Sequence, residues 1–286
     1  MSRLSMILTL VLLLLRPAGA AAADYAGPLI DAHAHVPSAA AIEAYVAAMK
    51  RHNVSKVVLL GVGGVQKEDA DWIAAAVRAH PERVVPGQPV PDPTRPDAAG
   101  TLDVELARTK ARVMGEVHLR QISRKIDRNP AETAFLDILR LGALRGVPVV
   151  VHFELTPKSA VALERALAVQ RDVVIVLAHA GEGKPAEVEK LLARNANLMV
   201  DLSGMHFQRT PSLASETGPL DTRWKALIEK MPDRFLMGID AWAPRLFEPA
   251  MLDRLMKWTR RILGQLKPDV ADRVAWKNAA TLYRLD

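Results

Sequence analysis

Short apolar runs rich in β-branched residues alternate with longer segments rich in alanine and leucine from residue 24 onward. The longer segments, among them AAIEAYVAAMKRH and AETAFLDILRLGALRG, repeat apolar residues at helical spacing, which predicts helices. Two helix starts carry a proline in the first turn, at Asn129-Pro130 and at Thr156-Pro157. The short runs predict eight strands, namely PLIDAH, SKVVLLGV, RVVPGQPV, ARVMGEVHL, VPVVVHFE, DVVIVLAHA, ANLMVDLSG and DRFLMGIDAW.

This alternation predicts parallel βαβ units. The runs at residues 147–151 and 173–177 are apolar without alternation, as is expected of strands covered by helices on both faces. Eight such units favour a single-domain α/β fold, a closed (β/α)8 TIM barrel, over residues 24–286, with residues 249–264 and 268–285 forming the last helices. A doubly wound open sheet is the alternative. It normally carries a Gly-rich phosphate loop after the first strand, where this chain has DAHAHVP.

The residue pattern at positions 1–23 predicts a cleaved secretory signal peptide. A positively charged start precedes an apolar run over residues 6–15, and Ala21 and Ala23 fit an A-x-A cleavage site before Asp24. An uncleaved N-terminal anchor is the alternative, although the run is shorter than the roughly 20 apolar residues of a membrane span. We therefore expect the mature protein in the periplasm or outside the cell, with no stable membrane insertion.

Composition and charge narrow the function classes. The chain has no cysteine, which excludes disulfides and thiolate metal ligands. Its formal net charge is +6, or +4 once Arg3 and Arg16 leave with the signal peptide, and this weakly favours an anionic substrate or surface. No basic run is interleaved with aromatic residues, so we expect no nucleic-acid partner. Oligomeric state is left open.

Polar side chains follow the predicted strands at their carboxyl ends, where barrel enzymes carry their active sites. His33 and His35 close the first strand, and residues two apart on a strand point to the same side, so both imidazoles can face one point. The others are Glu116 and His118 on the fourth strand, His152 on the fifth, His179 on the sixth, Asp201 on the seventh with His206 after it, and Asp240 on the eighth.

Imidazole and carboxylate groups together suit zinc, manganese, iron or nickel. A single strand-end histidine is more often a hydrogen-bonded packing residue than a ligand. Four of them converging with Asp240 on one rim instead favour a metal site. We expect a divalent ion, zinc first, with one ion favoured and a second left open. Asp31, two residues before His33, is expected to orient a ligand rather than bind metal.

Five segments, DAHAHV, VVVHFE, IVLAHAG, LMVDLSG and FLMGIDAW, resemble the amidohydrolase superfamily in this order. The nearest resemblance is to its amidohydrolase-related branch, which includes 2-amino-3-carboxymuconate-6-semialdehyde decarboxylase and several metal-dependent hydrolases. The C-terminal WKNAATLYRL is similar to the closing helix of that branch, so the resemblance spans residues 29–285.

The resemblance implies roles by position. Asp240 would be ligand and general base, and His179 would bind metal or substrate. Glu116 stands where many two-metal members carry a carboxylated lysine; it would bridge two ions, or else be a structural or substrate-side group beside one. His118 has no clear counterpart, and GID replaces the more usual GSD or GTD on the eighth strand. The implied metal ligands are His33, His35, Glu116, His152, His179 and Asp240.

Together these expectations predict a metal-dependent hydrolase that acts on a C–N or C–O bond of a small molecule. The ion would lower the pKa of a water from about 15.7 toward ~7, Asp240 would take its proton, and the metal or His179 would stabilise the oxyanion. One alternative is a non-oxidative decarboxylase of the same branch, and another is a non-catalytic metal- or ligand-binding barrel. Candidates for binding an anionic substrate are His118, Arg120, Lys158, His206 and Arg245.

Overall fold

The computed structural model of the protein describes residues 23–285. The predicted signal peptide therefore lies outside the described residues, apart from its last residue. Within the described part, nine strands alternate with helices along the chain. They are β1 (Leu29–Ala34), β2 (Val54–Leu59), β3 (Val84–Gln88), β4 (Val113–Gln121), β5 (Ile126–Asp127), β6 (Val149–Phe153), β7 (Ile175–Leu177), β8 (Leu198–Asp201) and β9 (Phe235–Leu236).

Eight of these strands form a barrel. They run parallel in the order β1-β2-β3-β4-β6-β7-β8-β9, while the short β5 pairs antiparallel with the end of β4. Backbone hydrogen bonds close the barrel between β1 and the segment after β9: the N–H of Ala32 donates to Met237 at 3.0 Å, and that of His35 to Ala241 at 2.9 Å. The predicted (β/α)8 TIM barrel is confirmed.

Helices follow the strands and cover the outside of the barrel. The described helices are α1 (Ala41–Arg51), α2 (Asp69–Ala79), α3 (Ala98–Thr109), α4 (Thr133–Arg145), α5 (Pro157–Val169), α6 (Pro185–Arg194), α7 (Thr222–Lys230), α8 (Pro249–Leu263), α9 (Pro268–Asp272) and α10 (Asn278–Tyr283). A π-helical turn, Arg273–Lys277, joins the last two. None of the helices in residues 23–285 is long and apolar enough to cross a membrane.

Of the two predicted helix starts, the structure confirms one and shifts the other. At α5, Thr156 Oγ1 accepts from the N–H of Ser159 at 3.1 Å, and Ser159 Oγ accepts from the N–H of Thr156 at 2.8 Å, so the predicted start is confirmed with a reciprocal cap. At α4, the helix begins at Thr133 rather than at Pro130. Asn129 Oδ1 instead accepts from the N–H of Ala131 at 3.0 Å, which forms a local turn before the helix.

Two apolar clusters hold the fold together. The larger lies between the strands and their covering helices. The smaller draws residues from strands all around the barrel, such as Ile30, Val113 and Val150, with Ala279 and Tyr283 of α10. Residues from all sides of a barrel meet only in its interior, so this cluster fills it. Its members precede the polar residues on the same strands, which leaves the carboxyl end of the barrel for the site.

Candidate metal centre

The six side chains predicted to bind metal come together at the carboxyl end of the barrel, and all of them are buried. On one side, His33 Nε2 lies 3.2 Å from His35 Nε2 and 3.7 Å from Glu116 Oε2. His35 Nε2 in turn lies 3.5 Å from Asp240 Oδ1. Strand ends that are far apart in the sequence therefore converge on one point.

The carboxylate of Glu116 stands between two sets of histidines. Its Oε1 atom lies 3.0 Å from His152 Nδ1 and 3.2 Å from His179 Nε2. Its Oε2 atom lies 3.7 Å from His33 Nε2 and 3.6 Å from His35 Nε2. The position of Glu116 fits a carboxylate shared by two ions as well as a ligand of one.

Three imidazoles of the centre are oriented in the same way, with Nδ1–H donating outward and Nε2 facing inward. Because a carbonyl or carboxylate oxygen accepts hydrogen bonds, the nitrogen that faces it must carry the proton, and Nε2 is the atom that can offer a lone pair to an ion. This is the orientation that histidine ligands of metal ions require. The donated bonds run from His33 to Asp201 Oδ2 at 2.8 Å, from His35 to the carbonyl of Leu60 at 2.8 Å and from His179 to the carbonyl of Ser203 at 2.9 Å.

Two of the site residues have left-handed backbone conformations, which residues other than glycine rarely adopt. His179 has φ 54° and Asp240 has φ 55°. Each such residue costs of order 1–3 kcal/mol, and surrounding contacts must hold it. The N–H of Asp240 donates to the carbonyl of His33 at 2.8 Å, and the N–H of His179 to Asp201 Oδ1 at 3.2 Å. These bonds fix the two side chains at the end of the barrel.

Both carboxylates of the centre are ionised at neutral pH. Burial alone would raise the pKa of Glu116, but the adjacent His118 and His152 outweigh it and hold that pKa well below its ordinary value. Burial of Asp240 is likewise outweighed, by His179 and by a hydrogen bond with His35, and its pKa is lowered. Ionised carboxylates beside imidazoles that offer Nε2 form a donor set that fits a divalent ion.

Asp31 supports the backbone of the centre. Its Oδ1 atom accepts from the N–H of His33 at 3.2 Å and from that of Ile239 at 2.8 Å, and the Tyr45 hydroxyl donates to Oδ2. Asp31 thus ties β1 to the segment after β9 and to α1. It reaches the backbone of His33, whereas the partner of the His33 ring is Asp201.

A cavity of about 270 Å³ opens onto the metal centre. Three of the five side chains predicted to bind substrate line it, namely His118, His206 and Arg245. The other two, Arg120 and Lys158, do not line it; they line a separate cavity on the outside of the barrel. The structure therefore divides the predicted substrate residues between two places.

Two buried histidines of this cavity have lowered pKa values. Burial lowers the pKa of His206 to about 4, and burial also lowers the pKa of His118. His206 Nδ1 accepts from the N–H of Gln208 at 3.2 Å, while His118 Nε2 lies 3.0 Å from Glu116 Oε2. His206 is therefore neutral at neutral pH, whereas the arginines of the lining carry positive charge at the cavity.

Sequence reasoning missed Arg124, Arg209 and Trp242, which also line the cavity. Arg209 donates a hydrogen bond to Asp240 Oδ2, and its guanidinium lies 3.5 Å from Glu182 Oε1. It belongs to the loop between β8 and α7. Its place three residues after His206 was the available signal, but spacing alone does not connect a loop arginine with an aspartate on another strand.

The sequence model of the Amidohydrolase family matches residues 30–285. The chain belongs to the amidohydrolase family. The resemblance first seen in the strand-end motifs is thereby confirmed over nearly all of the described chain. Among curated proteins, none matches the chain.

Solved structures share the fold of this amidohydrolase at low identity. An uncharacterized TIM-barrel protein from Bordetella bronchiseptica is 14% identical, with a TM-score of 0.68, over 90% of this chain and 98% of the other. An amidohydrolase from Burkholderia multivorans is 16% identical, with a TM-score of 0.62, over 91% of this chain and 100% of the other. Dihydroxybenzoic acid decarboxylase from Polaromonas sp. JS666, with bound manganese and the inhibitor 2-nitroresorcinol, is 16% identical, with a TM-score of 0.61, over 91% and 97%.

Proposed function

We propose that this amidohydrolase is a metal-dependent hydrolase that acts on a C–N or C–O bond of a small anionic molecule. The main support for the proposal is the position of Asp240. Its Oδ1 atom lies 3.5 Å from His35 Nε2, on the metal side, and its Oδ2 atom accepts a hydrogen bond from Arg209. An ionised carboxylate thus stands between a metal centre and an arginine-lined cavity, where a general base for hydrolysis is needed.

His33, His35, Glu116 and Asp240 would hold the ion. His179, whose Nε2 atom lies 3.8 Å from Asp240 Oδ2, and His152 would complete the donor set. A divalent ion held there would supply Lewis acidity, which lowers the pKa of a water toward ~7 and polarises a substrate carbonyl. Zinc is the first choice. Manganese is the second, because the Polaromonas decarboxylase was solved with manganese bound.

Each residue then has a defined task. Asp240 accepts a proton through a carboxylate oxygen and returns it to the leaving group. With its Nδ1–H committed to the carbonyl of Ser203, His179 offers Nε2 as an acceptor, which suits a metal ligand better than an oxyanion donor. Developing negative charge on the substrate would therefore be stabilised by the guanidinium groups of Arg209 and Arg245.

The cavity supports an anionic substrate of small size. Arg124, Arg209 and Arg245 line it, and Glu182 is a carboxylate of the lining outside the metal centre. Its volume of about 270 Å³ suits a molecule of about one ring. Trp242, which is 41% exposed, provides an aromatic surface at the same cavity. The signal-peptide prediction supports the further proposal that the enzyme works in the periplasm or outside the cell.

Decarboxylation is the second candidate. Its support is the same arginine-lined cavity, which would bind a carboxylate, together with the likeness of the fold to a 2,6-dihydroxybenzoate decarboxylase from Rhizobium, 16% identical with a TM-score of 0.62. In a decarboxylase the substrate carboxylate leaves as carbon dioxide. In a hydrolase, one oxygen of water enters the product.

The test is a screen of protein loaded with zinc or manganese against lactones, esters, amides and aromatic carboxylic acids, in water enriched in oxygen-18. We expect label in one product and a loss of about 10²-fold or more in kcat for Asp240→Asn, with metal content retained. Asp172→Asn, an exposed aspartate on the outside of the barrel, is the matched control. Carbon dioxide release without label would replace the hydrolase by the decarboxylase. Full turnover in Asp240→Asn would refute the role of that residue.

A further inference from the structure

Arg120 and Lys158 line a second cavity, of about 570 Å³, which shares no lining residue with the cavity at the metal centre. Its walls come from the ends of β4 and β6, from the β5 hairpin and the turn before α4, and from α5. A volume of this size lies in the range of about 300–1,000 Å³ that is typical of small-molecule sites.

Positive charge dominates this cavity. Four cationic side chains line it, Arg120, Arg128, Lys158 and Arg165, against the carboxylate of Asp127. Asp127 lies 3.5 Å from a guanidinium nitrogen of Arg120 and is itself largely exposed. Among residues 23–285, neither Lys158 nor Arg165 has a carboxylate oxygen within 4.0 Å. The cavity therefore carries more positive charge than its own acidic residue neutralises.

Arg120 is the inner cation of the group. Its side chain is only 13% exposed. The Nε atom is buried and has no hydrogen-bond partner within the described chain. A buried N–H without a partner is unfavourable, since desolvation of such a donor costs about 1–3 kcal/mol. An acceptor brought by a ligand would satisfy it.

The lining also has an apolar side. Phe153 is buried next to the metal ligand His152, and Val161 and Ala162 of α5 complete the apolar wall. Val161 lines this cavity with 48% of its surface exposed. A cavity with cations on one side and apolar side chains on the other matches a ligand that is itself divided into an anionic group and an apolar body.

We propose that this cavity binds a small organic anion, a phosphate monoester or carboxylate with an apolar body about one ring in size. Arg120, Lys158 and Arg165 hold the anionic group, and Phe153 and Val161 contact the body. The site is separate from the metal centre, so the test of this proposal does not depend on which reaction is catalysed there.

The test is isothermal titration calorimetry of phenyl phosphate into the full, metal-loaded protein, compared with inorganic phosphate and phenol. Lys158→Gln/Arg165→Gln removes two exposed cations and leaves the buried core intact. Arg120→Lys keeps the charge and removes the Nε–H. Arg245→Gln acts on the metal-centre cavity only, and Lys190→Gln on α6 is the control for a general loss of positive charge.

We expect phenyl phosphate to bind at least tenfold more tightly than phosphate or phenol. One binding event should weaken at least tenfold in Lys158→Gln/Arg165→Gln, weaken in Arg120→Lys, and persist in Arg245→Gln and Lys190→Gln. Unchanged binding in the double variant would overturn the proposal. So would an equal loss in Lys190→Gln, since the effect would then be one of net charge. A loss confined to Arg245→Gln would assign the binding to the metal centre and equally refute the second site.

Discussion

The ring of His33 donates a hydrogen bond from Nδ1 to Oδ2 of Asp201 at 2.8 Å, across 168 positions of sequence. Both side chains are almost completely buried. The bond turns Nε2 of His33 toward His35 and Glu116. Burial alone would lower the pKa of His33, but Asp201 and Glu116 raise it well above its ordinary value, so metal binding would release a proton from this ring. Asp201, which lies at the end of β8, therefore acts on the metal centre through the ring of His33 and without being a ligand.

Replacing Asp201 by asparagine is expected to weaken metal affinity by about 10–100-fold, because the partner that orients a histidine ligand is changed. Competition with a fluorescent zinc chelator measures this. Asp172→Asn, on the exposed outside of the barrel, should leave affinity unchanged. An unaltered affinity in Asp201→Asn would mean that His33 keeps its orientation without this bond.

The double variant His33→Ala/His35→Ala is expected to lose bound metal, one or two equivalents per chain, when metal content is measured by elemental mass spectrometry. The matched control is His52→Ala/His80→Ala. Those two histidines lie at the ends of outer helices, 2.7 Å from Asp253 and Glu43 respectively. Wild-type protein without stoichiometric metal, even after divalent ions are added back, would contradict the metal centre itself.

Metal removal should lower the melting temperature. A ligand at 100 times its dissociation constant stabilises the folded state by about 2.7 kcal/mol, and at this chain length each kcal/mol corresponds to about 2–4 °C. A chelator should therefore lower the Tm of wild type by roughly 5–10 °C and leave the Tm of His33→Ala/His35→Ala unchanged. An equal shift in both proteins would place the stabilising ion elsewhere.

Arg209→Gln should lower kcat/KM for an anionic substrate by about 10–100-fold, since a charge-assisted hydrogen bond contributes about 1.5–3 kcal/mol. The reason is that Arg209 both donates a hydrogen bond to Asp240 and lines the cavity at the metal centre. Metal content should stay at the wild-type value. Arg223→Gln, an exposed arginine at the start of α7, is the control. Unchanged kcat/KM together with normal metal content would remove Arg209 from the site.

The buried carboxyl of Asp31 should make stability depend on pH. Burial raises its pKa to about 6, against hydrogen bonds from Tyr45 and from the N–H groups of Ile239 and His33. The folded protein therefore holds a proton between pH 3.8 and about 6 that the unfolded chain releases. The stabilisation from this proton is complete below the lower value and is lost as pH rises through the upper one.

Urea unfolding of wild type and Asp31→Asn, in the presence of a chelator at pH 4.5 and pH 7, isolates this contribution. The free energy of unfolding of wild type relative to the variant should fall toward the higher pH, by roughly 3 kcal/mol at most. A difference that is constant or rises with pH would show that Asp31 is ionised throughout this range.

The sequence could place the candidate ligands at one end of the barrel because of a topological rule. The carboxyl ends of parallel barrel strands meet at one rim, so polar residues at those ends are neighbours whatever their separation in the chain. His33, His35, His152 and Glu116 all follow from this rule. His179 and Asp240 lie just beyond the regular strands. Their left-handed backbone conformations could not be predicted from their residue types.

The positions of the loop side chains could not be inferred in the same way. Arg120 lies only two residues after His118 on β4, yet it lines the outer cavity, because the hairpin with β5 and the first turns of α5 enclose it there. Arg209 reaches Asp240 because the loop after β8 folds back over the rim. The sequence does not encode such paths locally, since packing against distant segments sets them.

The sequence by itself determined the barrel, its strands and the residue types of the candidate metal centre, because periodicity and strand-end chemistry are local properties. Tertiary structure alone decided that Asp201 orients His33, that Glu116 stands between two histidine groups, and that the cations of the β4 end and α5 form a cavity of their own. These relationships depend on how distant strands and loops pack against one another. Burial and the neighbouring groups together then set the charge of each side chain, and no single segment of the chain contains that information.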